Sequence, residues 1–224
     1  MAFNQKSREL IDFLRTRLNE NLPGKSSHLK MAPLIGKKPF RRFVSKGRHK
    51  NSSVMLLLFP DEFSEINLFF TLRSDKLTTH KGQISFPGGA SEPGETAIQT
   101  AFRETYEEIG VSEDKIEFIG YLSQLFVPPS NSLIQPIVCF CEEKPTLKLN
   151  PDEVSELFAL PIETFFKSEL LVREKWNIEG WLVDVPFWNV HLTPLWGATA
   201  MILQEFLDLI EESNAFAVML KKEE

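Results

Sequence analysis

Glu104, Glu107 and Glu108 stand at i, i+3 and i+4 with Arg103 directly before them, in a run that opens at Gly88 and Gly89 and closes at Gly110 and Val111. Carboxylates at this spacing are neighbours on a helix surface, where each like-charged pair costs about a few tenths of a kcal/mol. A divalent cation reverses that sign. Hard ions such as Mg²⁺ and Mn²⁺ prefer carboxylate, water and phosphate oxygens, so a cluster this dense suits an ion shared with a diphosphate. In isolation such a triplet is most often a solvated acidic face, and its surroundings must single it out.

The helix that carries these residues has its own start and stop signals. Thr96 is suited to the N-cap with Gln99 as its capping-box partner, and Gly110 to the left-handed residue that ends the helix. At about 100° per residue, Ile98, Phe102 and Ile109 fall within about 40° of one another, while the three glutamates lie roughly 100° to 160° from the centre of that stripe. The expectation is one face in a core and three carboxylates on the other.

The whole pattern is G-x5-E-x7-R-E-x-x-E-E-x-G-hydrophobic, filled by Gly89, Glu95, Arg103, Glu104, Glu107, Glu108, Gly110 and Val111. It resembles the Nudix box, and the turn-then-helix context agrees with that motif. Thr105 departs from it, standing where the family usually has an aliphatic residue. Immediately upstream, residues 71–89 read TLRSDKLTTHKGQISFPGG. This run is similar to the extra motif of the coenzyme A diphosphatase branch of Nudix hydrolases, with Phe70 where an aliphatic residue is more usual. LWGATAMIL at residues 195–203 is similar to the closing helix of the same branch.

The resemblance implies an α/β fold, a Nudix α/β/α sandwich with a mixed β-sheet between helices. It implies Glu104, Glu107 and Glu108 as ligands of Mg²⁺ or Mn²⁺, one of them also a candidate to activate water. Glu95 and Arg103 would form the ion pair that holds the loop against the helix, although Arg103 can equally pair with Glu107 at i+4. A further ligand or base is often supplied in this superfamily from a later loop, for which Glu153 and Glu156 are the candidates. For substrate binding, Arg73 offers a planar fork, Ser74 and Ser85 offer hydroxyls, and the turn at Gly88 and Gly89 brings backbone N–H groups close to an anion. His80 either binds phosphate or holds its loop by a hydrogen bond.

The implied reaction is hydrolysis of the diphosphate bond of coenzyme A or an acyl-coenzyme A, giving 3′,5′-ADP and 4′-phosphopantetheine or its acyl form. ADP-ribose, NADH and diadenosine polyphosphates share the scissile group and remain open as substrates. A nucleotide-sensing module without useful hydrolysis is the reading from a different class, and the complete carboxylate set argues against it.

With 224 residues, 42% of them hydrophobic and 11% aromatic, the chain can bury a sizeable core. Residues 1–50 read as an N-terminal helix and basic connector packed on the main domain, and residues 51–224 as the Nudix domain. The net charge of −6 conceals an asymmetry: the segment 25–50 holds nine Lys/Arg and no Asp or Glu, leaving the remainder at −15. Such a stretch attracts a polyanionic substrate or packs as a solvated segment beside an acidic domain. It has no recognisable nucleic-acid motif, so a small-molecule substrate is the expected partner, with neither nucleic acid nor membrane, and a homodimer is left open. No apolar run reaches membrane-spanning length and no signal-peptide pattern opens the chain, from which a cytoplasmic protein is expected. Cys139 and Cys141 would face one side of a strand as reduced thiols.

Coarse patterning predicts an amphipathic helix over 4–20, strands over 54–59 and 66–72, the box helix, and strands over 116–126 and 133–141. Beyond these it predicts an extended segment over 153–160 leading to a short helix, a hairpin over 176–184 turning at Glu179 and Gly180, and a last helix over 194–212.

Overall fold

A computed structural model of the chain describes residues 5–40, 44, 47–76, 81–214 and 216. Its centre is an eight-stranded sheet. The long strand β3 (Lys50–Pro60) lies between β4 (Ile66–Arg73) and β9 (Ser132–Phe140), and β10 (Val154–Pro161) and β7 (Glu117–Tyr121) flank these. Short strands β5 (Ile84–Ser85), β6 (Gly88–Ala90) and β8 (Leu125–Val127) add to β4, β3 and β9 respectively. The β3–β9 pairing is parallel and the rest antiparallel, so the sheet is mixed.

The apolar run of β3 is continuous because both faces of that strand are covered. Met55, Leu57 and Phe59 point into a core shared with Ala101 and Ile109 of the helix α3 (Ala97–Ile109). Leu56 and Leu58 point the other way, into a larger core with α1 (Gln5–Arg17), α2 (Lys25–Lys30) and α4 (Gly197–Ile210). The expected layers of helix, mixed sheet and helices are therefore present. Leu10, Ile11 and Leu14 of α1 are fully buried in the larger core, so the N-terminal helix is part of its wall.

A second sheet crosses one end. The hairpin β11 (Leu171–Ile178) and β12 (Trp181–Trp188) turns at Glu179 and Gly180, where the sequence places it, and β12 also pairs with β1 (Leu34–Ile35) and with β13 (Leu195–Trp196). β1 continues into β2 (Lys38–Pro39).

Two expected elements differ from what forms. The strand expected over 116–126 is split into β7 and β8, because the partner strand carries Pro136, which has no N–H to give to a ladder. Around the break, Leu122 N–H donates to Pro136 O and the Gln135 amide donates to Leu122 O. The last helix begins at Gly197 rather than Pro194, since Leu195 and Trp196 are held extended by pairing with Trp188 and Phe187. Phe70 is fully buried and packs on Phe86, Phe158 and Phe165, which accounts for an aromatic at that position. Cys139 and Cys141 are free and buried on the α3 side of the sheet, and burial pushes both thiols up, that of Cys141 to about 12.

Candidate active site

α3 is capped as its sequence requires. Thr96 accepts from Gln99 N–H while the Gln99 side chain accepts from Thr96 N–H, and Gly110 closes the helix in the left-handed conformation. The face it buries is wider than the stripe of large apolar residues. Ala101, Thr105 and Glu108, at i, i+4 and i+7, are buried along with Thr100 and Ile109, while Ile98 and Phe102 are only partly covered. Glu108 is therefore not on a solvated face: it is 1% exposed. The small side chains of Ala101 and Thr105 let α3 approach β3, with Thr105 Oγ1 3.5 Å from Met55 Sδ, and this carries Glu108 up to the backbone of β6.

At that point three carboxylates meet. Oxygens of Glu104, Glu108 and Glu153 all lie within 4.8 Å of one another. Glu108 accepts from Gly88 N–H at 3.1 Å and faces Arg73 Nη1 at 3.7 Å. Glu153 arrives from the loop before β10, held by Asn150, whose side-chain amide donates to Glu153 at 3.2 Å and whose backbone N–H donates to Glu108 O at 2.9 Å. Asn150 was not singled out in the sequence; its signal was the Asn-Pro-Asp run, which here forms an Asx turn closed by Asp152 N–H. Glu107 lies outside the trio, 47% exposed in its side chain, and accepts from Arg103 Nη1 at 3.0 Å.

Arg103 serves both partners that its spacing allows. Its Nε and Nη2 donate to the two oxygens of Glu95 at 2.7 and 3.0 Å, and its Nη1 donates to Glu104 at 2.8 Å as well as to Glu107. Nη2 also donates to Ala90 O at 3.0 Å, so one guanidinium ties the loop after β6 to the acidic side of α3. The Arg103 bond, with the Glu92 amide behind it, holds the Glu95 carboxyl down at about 2.

The remaining site residues from the sequence are distributed as follows. Gly88 has φ +148°, and a Cβ there would meet Ser53 O at 2.2 Å; a Cβ on Gly89 would meet the Glu104 carboxylate at 2.4 to 2.6 Å. The two glycines thus permit backbone to pass against β3 on one side and the carboxylates on the other. Ser74 is buried, its N–H donating to Glu153 O at 2.9 Å and its Oγ accepting from Lys76 N–H. Ser85 Oγ lies 3.0 Å from Thr71 Oγ1, and Glu156 faces His191 at 3.3 Å in an exposed pair. His80 lies outside the described residues.

Burial raises the Glu104 carboxyl, against the pull of Arg103, and takes Glu108 to about 8 despite Gly88 and Arg73, with Glu104 and Glu153 adding repulsion. Three converging carboxylates, two of them disfavoured as anions, are a donor set that a hard cation would stabilise. Among the described residues, Arg73 Nε and Ser53 Oγ are buried side-chain atoms without a hydrogen-bond partner. Ser53 pairs with Gly89 and Arg73 faces Glu108, so both orphaned donors lie at this centre.

Arg73, Gly88 and Gly89 also line a cavity of about 760 Å³ on the opposite, α4 side of the sheet. None of the three carboxylates lines it. The cavity is therefore a neighbouring chamber that shares a wall with the acidic centre.

A family model described as NUDIX domain matches residues 49–182. The chain is 29% identical over 202 residues to Nudix hydrolase 3 of Caenorhabditis elegans, covering 83% of this chain and 84% of that protein. It is 32% identical over 135 residues to the peroxisomal coenzyme A diphosphatase of Mus musculus, covering 59% of this chain and 57% of that one. Among solved structures, a Nudix hydrolase from M. smegmatis, RenU, superposes with a TM-score of 0.53 over 73% of this chain and 87% of that chain at 15% identity, a likeness of fold.

Proposed function

The chain belongs to the NUDIX family, and from that premise we propose that it hydrolyses the diphosphate bond of coenzyme A or an acyl-coenzyme A with Mg²⁺ or Mn²⁺. The observation that carries this reading is the convergence of Glu104, Glu108 and Glu153 beside Gly88, Gly89 and Arg73. The coenzyme A motif over residues 71–89 and the named activity of the mouse relative support the choice of substrate.

In this reading Glu104, Glu108 and Glu153 would hold the cation, and Glu107, beside them on Arg103, would serve as a further ligand or as the base. The chemistry that such an ion would supply there is neutralisation of phosphate charge and a lower pKa for the attacking water. Arg73 and the backbone around Gly88 and Gly89 receive the diphosphate and offset charge that develops on it. A carboxylate of the cluster accepts the proton of the water as its oxygen attacks one phosphorus and the other phosphate departs. Arg103 and Glu95 keep the loop after β6 fixed against α3, which sets the distance between the phosphate-facing backbone and the carboxylates. Ser74 acts through Glu153, whose backbone it holds, and Ser85 lies in the wall of the chamber.

Product analysis tests the reading. Purified protein incubated with coenzyme A, ADP-ribose, NADH and diadenosine polyphosphate should release 4′-phosphopantetheine in preference to the other products, with Mg²⁺ or Mn²⁺ and not with chelator. Preferred cleavage of another compound keeps the chemistry and rejects the substrate; cleavage of none supports a sensing role. We also propose a cytosolic site of action, in keeping with two free thiols; a fluorescent fusion that collects in an organelle would reject it.

A further inference from the structure

The cavity behind Gly88 and Gly89 has a charge pattern that the hydrolytic centre does not use. Its floor is the α4-facing side of β3 and β9, where Lys50, Ser52 and Val54 follow one another at the two-residue period of a strand. Its sides are apolar, from Phe86, Pro128, Trp196 and Ile202, and Pro33 and Phe40 close one edge. The hydroxyls in these walls have partners of their own: Ser52 with Ser132 at 2.6 Å, Ser85 with Thr71, and Thr199 donating to Ile84 O at 2.9 Å. Apart from the amide of Gln83, a guest is thus offered mainly flat apolar surface, and beyond that two cations, Arg73 and Lys50.

Those two cations stand at different places. Arg73 faces Glu108 at the shared wall, while Lys50 lies three residues along β3 from Ser53, the partner of Gly89, or about 10 Å at strand rise. Among the described residues Lys50 has no acidic partner, nor do Arg48, Lys37 and Lys38 near it in the chain, and no Asp or Glu occurs between residues 25 and 50. An uncompensated cation at the far end of an apolar chamber calls for a second anionic group on the substrate, separated from the diphosphate by roughly a sugar and an extended lysine side chain. At about 760 Å³ the chamber is of the size that encloses a ligand of several hundred daltons.

We propose that this cavity binds the nucleotide end of the substrate, with the base against its apolar walls and Lys50 on the ribose 3′-phosphate, so that Lys50 selects nucleotides phosphorylated at that position. The proposal rests on the coenzyme A reading and deepens it. The pantetheine end of coenzyme A is neutral and carries two amides, which would leave Lys50 unanswered and find the wall hydroxyls already engaged. The nucleotide end supplies both the flat ring and the anion.

The test compares coenzyme A with 3′-dephospho-coenzyme A, which differ only in that phosphate. For the wild-type chain KM should be lower for coenzyme A by about tenfold or more, the scale of one charge-assisted contact. Lys50→Ala should raise KM for coenzyme A to the value for the dephospho form, Lys50→Arg should keep the preference, and Lys115→Ala, a lysine on the turn after α3, should move neither. Equal KM values in the wild type, or a Lys50→Ala effect of the same size on both substrates, would overturn the proposal. If the wild type cleaves neither compound, the hydrolytic reading fails by itself, and calorimetry then decides the site. Binding of 3′,5′-ADP at least ten times tighter than 5′-AMP, lost in Lys50→Ala, upholds it; equal binding of the two overturns it.

Discussion

At the scale of single residues, the acidic centre makes its glutamates unequal. Glu108 is enclosed, Glu104 is divided between Arg103 and the cluster, and Glu107 is half in solvent. Glu107→Gln and Glu108→Gln are each expected to fold and to lose most turnover, and near-parental rates in both would reject the assignment. Glu153→Gln is expected to lower kcat by about 10²-fold or more, with an unchanged circular dichroism spectrum. Glu95 yields a separate pH expectation. Its carboxyl is held at about 2 against an ordinary value of 4.5, so it favours the folded chain above about pH 4.5 and loses that contribution as pH falls toward 2. Glu95→Gln should be less stable than the parent at neutral pH and should close that gap over this window, read by urea midpoints at stepped pH. Residue types and spacing made these side chains legible in the sequence, from Glu95 to Glu108. Depth was not legible: Ala101 and Thr105 escape a pattern that counts only large apolar residues, and they are what draws Glu108 inward.

At the scale of elements, the β6 turn is the part most intolerant of change. Gly88→Ala puts a Cβ into the backbone of Ser53 and Val54 at a positive φ, and should destabilise the chain by about 1–3 kcal/mol or more. Gly89→Ala meets a side chain instead, the Glu104 carboxylate, which can swing aside. Its expected signature is a large fall in kcat with a small change in Tm, the reverse of Gly88→Ala; thermal melts beside initial rates separate the two. Elements with a strong local signal were readable from the sequence: α3 through its caps, the β11–β12 hairpin through Glu179 and Gly180, and β3 through its apolar run. The division of β7 from β8 was not, because it is imposed by Pro136 on a neighbouring strand. The short strands β1, β2, β5 and β6 were not either, since two or three residues carry no period.

At the scale of the whole molecule, one buried carboxylate joins distant parts of the chain. Glu205 of α4, fully enclosed, accepts from Gly24 N–H at 3.0 Å and Ser123 N–H at 3.1 Å and meets His28 Nε2 at 3.0 Å. Burial pushes its carboxyl up, but His28, Ser123 and Gly24 outweigh that and hold it below the usual range. Glu205→Leu removes the acceptor from three donors at once. Breaking such a pair costs about 3–5 kcal/mol, which for a chain of this size lowers Tm by on the order of 10 °C. A variant melting within about 2 °C of the parent would show that these contacts contribute little. The sequence signals Glu205 only as a charge inside an apolar helix, with no local sign of its partners.

The larger core and the chamber beside it both need α4, and α4 follows almost everything else they contain in the order of the chain, Phe216 of the larger core excepted. During translation the ribosome releases the box helix, its carboxylates and the motif of residues 71–89 well before residues 197–210 leave the exit tunnel. Until then that face of the sheet is covered only in part, by α1 and α2, and the chamber has no roof. Vectorial synthesis therefore leaves apolar sheet surface exposed, as a client surface for chaperones, until α4 docks on it.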